Sequence, residues 1–246
     1  IDTVDYSDAE SGVTLDLGTG KTDSATGDTV LNVENAIGSG LDDTITGSDA
    51  DNTILTGAGD DTINGSAGDD VIDGGAGQDV VDYSNSETGV DVDLEAGSTD
   101  KADGTDLLSN IEDVIGSDAN DSIGGSDAAN TLSGGAGDDT IDGRAGDDVI
   151  SGGAGDDTLS GGEGTDTLDY SEATGAQNID LAAGTATGAD GNDTLSGFEN
   201  VTGTEYNDTI TGNEADNVID GGAGNDMLTG GAGNDVLDGG KGDDSF

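Results

Sequence analysis

Large aliphatic residues return every ninth position along three stretches of the chain. From Gly38 to Asp82 they are Ile45, Ile54, Ile63, Ile72 and Val81. From Gly116 to Asp169 they are Ile123, Leu132, Ile141, Ile150, Leu159 and Leu168. From Gly203 onward they are Ile210, Ile219, Leu228 and Leu237, with Phe246 in the same slot of a shortened last unit. Glycine and acidic residues fill the intervals, giving the frame GGxGxDxUx, where U is the aliphatic. A unit this short cannot enclose a core alone, so the pattern predicts a solenoid whose units bury their apolar side chains only by stacking.

The frame also predicts local structure. Positions one to six, as in Gly134 to Asp139, are turn chemistry, because glycine permits positive φ and close approach of backbone. The last three positions, here Thr140, Ile141 and Asp142, form one short strand whose middle side chain points inward. Two units complete a coil of 18 residues, which stacks Asp139 near Asp157 and Asp148 near Asp166.

The pattern divides the chain into six segments: a spacer at 1–37, an array at 38–82, a spacer at 83–115, an array at 116–169, a spacer at 170–202 and an array at 203–246. The spacers resemble one another. Each opens Tyr-Ser, at Tyr6, Tyr83 and Tyr170, and then carries a period-two alternation, as in Val13, Leu15 and Leu17 or Val90, Val92 and Leu94. Each later carries a second apolar stretch with an acid at a fixed place: Val33 and Glu34, Ile111 and Glu112, Phe198 and Glu199. The alternation predicts strands that continue the solenoid with longer rungs. The tyrosines are expected to cover the end of a roll, and the glutamates to bond backbone groups at a turn. The first residues match the closing positions of an array unit and Phe246 stops one residue short of another, so the chain reads as a window from a longer polypeptide.

Composition narrows the function classes. The formal net charge of −52, from 4 Lys and Arg against 56 Asp and Glu, excludes a phosphate-neutralising nucleic-acid surface. No apolar run is long enough to insert in a membrane. With no His, no Cys and four basic side chains, a serine nucleophile has no ordinary base and a phosphoryl group no clamp. Paired carboxylates suit glycosidase chemistry, but here they form a periodic ladder in a chain that is 2% aromatic, so the chain is expected not to be an enzyme. Stacked carboxylates repel one another, and a column of them persists only if protonated or neutralised by a cation. Carboxylates alternating with turn carbonyls make an all-oxygen set, which favours Ca²⁺ over Zn²⁺, Cu²⁺ or the stricter Mg²⁺.

These residues resemble the RTX calcium-binding repeats of secreted bacterial proteins. The resemblance implies an all-β, right-handed parallel β-roll with several Ca²⁺ ions, each between two turns on one edge and bound by position-six aspartates and backbone carbonyls. Carried over by position, the aspartate pairs are Asp61 with Asp79, Asp139 with Asp157, Asp148 with Asp166, and Asp226 with Asp244. Asp70 and Asp235 also match, with poorer same-edge partners. Gly57, Gly59, Gly75, Gly77, Gly135, Gly137, Gly153, Gly155, Gly222 and Gly224 would supply carbonyls. Asn52, Asn130 and Asn217 replace the aspartate in glycine-poor turns, where weak or empty sites are expected. The resemblance further implies type I secretion, an extracellular or cell-surface location, and a chain unfolded until it meets calcium. The whole protein would be a fibrous adhesin, surface-layer protein or filament, or alternatively this segment is the non-catalytic tail of a secreted enzyme. The partners implied are calcium ions and, for a fibre, other copies of the chain.

Overall fold

The computed structural model describes residues 1–22, 28–102 and 104–246; residues 23–27 and Asp103, which belong to the first and second spacers, lie outside the described set. Among the described residues every regular element is a β-strand, and no helix is long and apolar enough to cross a membrane. The chain divides into two compact units, Ile1–Ser117 and Asp118–Phe246.

In the first unit, alternate repeats lie on opposite sheets of a roll. Thr44–Thr46 pairs in parallel with Thr62–Asn64, and that strand with Val80–Asp82, which aligns Ile45, Ile63 and Val81. On the other sheet Thr53–Ala58 pairs with Val71–Ala76 and aligns Ile54 with Ile72. Partners stand 18 residues apart because two nonapeptides make one turn of the solenoid. The same rule builds the second unit, where Ile123, Ile141 and Leu159 form one column and Leu132, Ile150 and Leu168 the other. Ile210 with Leu228, and Ile219 with Leu237, continue it. The position-eight side chains of the complete units are at most 2% exposed, apart from the half-buried Leu237. Full burial stabilises by about 1.5–3 kcal/mol per side chain, so these columns are the core.

Two features exceed the sequence reading. Thr53–Ala58, Val71–Ala76, Thr131–Ala136 and Val149–Ala154 run six residues, through the strand and into the following turn. Their pairing continues through Gly135 with Gly153 and Ala136 with Ala154, so the turns themselves stack in register. The spacers also continue the apolar columns, Leu15 pairing Ile45, Leu108 pairing Ile72 and Val201 pairing Leu168. Their rungs are indeed longer, and the extra length goes into antiparallel strands. Ser98–Lys101 pairs antiparallel with both Asp91–Asp93 and Gly104–Ser109, and Thr185–Gly188 does the same between Gln177–Asp180 and Asn192–Ser196.

Candidate metal centre

The glycine-rich turns are held by backbone sterics. All ten glycines named from the sequence have positive φ, between 85° and 152°. At Gly153 (φ 94°) a Cβ would stand 1.9 Å from the Gly135 carbonyl oxygen of the coil below, and at Gly155 (φ 147°) 1.8 Å from that of Gly137. Neither the dihedral nor the spacing tolerates a side chain, so successive turns approach through bare backbone.

This close stacking brings each position-six aspartate under the turn one coil earlier. Its Oδ1 accepts the N–H of the residue 18 positions before it. The N–H of Asp61 donates to Asp79 (2.9 Å), that of Asp139 to Asp157 (2.9 Å), that of Asp148 to Asp166 (2.9 Å) and that of Asp226 to Asp244 (3.0 Å). All four pairs expected from the repeat are therefore juxtaposed. The other oxygen is different. Oδ2 of Asp61, Asp70, Asp79, Asp139, Asp148, Asp157, Asp166 and Asp226 is buried with no hydrogen-bond partner. A buried carboxylate oxygen in this state is costly unless something positive meets it.

Electrostatics gives the same answer. Burial pushes the carboxyls of Asp70 and Asp139 up to about 7 and those of Asp79, Asp148 and Asp157 up to about 6. Asp61, Asp166 and Asp226 are raised as well. In each case loss of solvent is the largest cause, and repulsion from neighbouring carboxylates pushes less strongly in the same direction. Repulsion between coils, which the sequence argument put first, is thus secondary, because the ladder N–H groups already stabilise one oxygen of each charge.

For seven of these eight aspartates Oδ2 faces the glycine at position one of its repeat; at Asp61 that position is Thr56. A Cβ on Gly134 would lie 2.2 Å from Asp139 Oδ2 and 2.6 Å from the Gly152 carbonyl oxygen; on Gly143 it would lie 2.3 Å from Asp148 Oδ2 and 2.5 Å from the Gly161 oxygen. Each turn thus holds a cradle bounded by one unsatisfied carboxylate oxygen and backbone carbonyls. No three acids among the described residues converge on one point, so most ligands to an ion here would be carbonyls. An all-oxygen, carbonyl-rich set with mobile carboxylates fits Ca²⁺.

Turns that depart from the motif satisfy themselves. Asn52 Oδ1 accepts the Ser48 N–H (2.6 Å) while its Nδ2 donates to the Glu34 carbonyl (2.6 Å). Asn217 repeats this with Asn213 and Glu199. At Asn130, Oδ1 accepts the Ser126 N–H (2.7 Å). At Asp43 and Asp208 the N–H and hydroxyl of Ser39 and Thr204 take the carboxylate oxygens. None of these acids or amides has a buried side-chain oxygen left without a partner. Asp235 and Asp244, on the last coil, are half-buried.

Sequence reasoning missed four acids in or near the spacer rungs as members of the same ladder. Asp70 N–H donates to Asp106 (3.2 Å) and Asp157 N–H to Asp193 (3.0 Å), 36 positions on. Asp79 N–H donates to Glu112 and Asp166 N–H to Glu199, both at 3.0 Å. The glutamates were singled out as turn residues, but Asp106 and Asp193 were not. Their signal is a constant distance of 23 residues from the spacer tyrosine: Tyr83 donates to Asp106 Oδ2 (2.9 Å) and Tyr170 to Asp193 Oδ2. Both tyrosines are buried, whereas Tyr6 is half-buried. Asp70 Oδ2 lies 3.7 Å from the ammonium of Lys101, a contact invisible to the repeat.

The family profile of the RTX calcium-binding nonapeptide repeat, in four copies, matches residues 37–71, 46–81, 115–150, 134–168, 196–228 and 211–246, together more than half of the chain. No curated protein matches it. Among solved structures, the extracellular lipase LipA from Serratia marcescens aligns at 18% identity with a TM-score of 0.31, over 69% of this chain and 38% of the lipase chain.

Proposed function

Because the chain belongs to the RTX calcium-binding nonapeptide repeat family, we propose that it is a calcium-folded structural module of a larger extracellular bacterial protein. The observation that carries this reading is the row of buried, partnerless Oδ2 atoms, all but that of Asp61 opening onto a glycine cradle. Calcium bound there would supply the positive charge that burial otherwise withholds. The residues that hold it are the pairs Asp61 with Asp79, Asp139 with Asp157, Asp148 with Asp166 and Asp226 with Asp244, with carbonyls from the glycines of the same turns. The chain's own part is to exclude water from one carboxylate oxygen, fix the other with a ladder N–H, and present backbone oxygens at the gap.

The module is structural, not catalytic. Its acids sit in a periodic ladder, and it has no His or Cys to serve as base or nucleophile. Extracellular calcium modules bind in the range of about 10⁻⁴ to 10⁻³ M, which sets the folding switch between a low-calcium cytoplasm and the exterior. Three arrays alternating with three spacers of one plan suit a repeated rod in a fibrous surface protein.

Far-UV circular dichroism during a calcium titration tests the reading. Strand signal is expected to be lost in chelator and to return cooperatively with Ca²⁺, and only at much higher concentration with Mg²⁺. Full strand content in chelator at neutral pH would refute it.

A further inference from the structure

Two turns occupy the same place ahead of a spacer, residues 65–70 in the first unit and 152–157 in the second. Asp70, Tyr83 and Asp106 correspond to Asp157, Tyr170 and Asp193, each shifted by 87 positions, and make the same hydrogen bonds. Around them Ser66 stands where the second unit has Gly153 and Thr99 where it has Ala186, and one further difference brings in a buried cation. Where the second unit has Gly188, the first has Lys101.

Lys101 is one of four basic residues in the chain, and its side chain is 1% exposed. Its ammonium lies 3.2 Å from Asp106 Oδ1 and 3.7 Å from Asp70 Oδ2, both on fully buried side chains. It donates to the Ser66 carbonyl of the same turn and stands 5.9 Å from the centre of the Tyr83 ring. It therefore meets one turn carbonyl and two carboxylates, a set of oxygens of the kind that a bound divalent ion would draw on. Asp70 Oδ2 and its counterpart Asp157 Oδ2 both lack a hydrogen-bond partner, but of the two, among the described residues, Asp70 alone has a cationic side chain within 4 Å.

We propose that the Lys101 ammonium is a tethered substitute for a divalent ion at the Asp70 turn, so that this turn neither needs nor admits calcium. The ammonium donates to the Ser66 carbonyl and meets Asp106 Oδ1 at 3.2 Å, and its charge reaches Asp70 Oδ2 at 3.7 Å without a hydrogen bond. A second cation in the same dry space would be repelled at short range with little screening. Asp70, which the repeat alone puts among the calcium ligands, then leaves that set, and the strand Ser98–Lys101 is fastened to the first array by the chain's own charge. The inference rests on the calcium reading above, and its test separates the two.

The experiment is an anomalous-scattering map from crystals of the whole chain grown with Tb³⁺ in place of Ca²⁺. Peaks are expected at the Asp139, Asp148 and Asp157 turns and none beside Asp70 Oδ2. A peak in coordination range of Asp70 overturns the substitution while leaving the calcium reading intact; no peak at any turn overturns both. Native mass spectrometry of Lys101→Met in calcium adds a second readout. One more bound ion than in the unaltered chain supports the proposal, and an unchanged count overturns it. Should that variant not fold, the map of the unaltered chain decides.

Discussion

Gly152→Ala is the sharpest perturbation of the proposed metal site, because it adds one methyl group and changes no charge. Gly152 is buried at position one of its repeat, and its φ lies outside the left-handed range, so alanine costs nothing in backbone conformation. The new Cβ would stand 2.2 Å from Asp157 Oδ2 and 2.8 Å from its Cγ, closer than any real contact, so the carboxylate must move. Its other oxygen then loses the Asp139 N–H (2.9 Å). A hydrogen bond to a charged group contributes about 1.5–3 kcal/mol. Displacing the carboxylate also removes one ion, which at a hundredfold excess over its dissociation constant stabilises the fold by about 2.7 kcal/mol. Together the loss is about 4–6 kcal/mol in saturating calcium. Urea denaturation followed by circular dichroism measures it, and native mass spectrometry counts the ions. Gly40→Ala is the control, since a Cβ there meets nothing within 4 Å. If Gly152→Ala keeps the full ion count and unfolds within about 1 kcal/mol of the unaltered chain, a difference ordinary for a surface change, the cradle is not a metal site.

Three other outcomes follow from the same geometry. The buried carboxyls titrate higher folded than unfolded, Asp139 at about 7 against an ordinary 3.8, so the folded state holds more protons. Without metal, stability is then greatest below about pH 4 and is lost as the pH rises through about 7; circular dichroism in chelator should show more strand at pH 5 than at pH 8, and half-folding should need less calcium at the lower pH. Ile150→Ala, at a side chain with 0% exposure in the middle of its column, should cost about 2–5 kcal/mol, read as a lower urea midpoint at fixed calcium. Asn217→Asp removes the only donor that reaches both the Glu199 carbonyl (2.7 Å) and Asn213 Oδ1 (3.1 Å) among the described contacts, and should destabilise by about 1–3 kcal/mol, measured the same way.

The roll was legible because its period is short and strict. Ile141, Ile150 and Leu159 at ninefold spacing give the strand, the inward position and the 18-residue coil, and the same spacing places Asp139 beneath Asp157. What lay outside the period was harder. The hairpin around Ser98–Lys101 and its counterpart at Thr185–Gly188 follow a period-two alternation that parallel and antiparallel strands share. Asp106 and Asp193 join the ladder 36 positions on because an antiparallel excursion intervenes, and no count of nonapeptides anticipates that. The role of Asn52 and Asn217 was readable only as a lost charge. The structure shows a gained donor, which a carboxylate cannot supply.

The ladder of N–H groups and carboxylates runs one way along the chain, and this gives every array a polarity. A turn always donates to the coil that follows and accepts from the coil before, so the trailing end of an array presents bare amide hydrogens and the leading end bare carboxylate oxygens. The spacers cap both. Val13 and Gln177 donate to the leading aspartates Asp43 and Asp208, while Asp106, Glu112, Asp193 and Glu199 accept from the trailing turns. Such modules can be joined only head to tail, and an array grafted in the opposite sense would set donor against donor at one junction and anion against anion at the other.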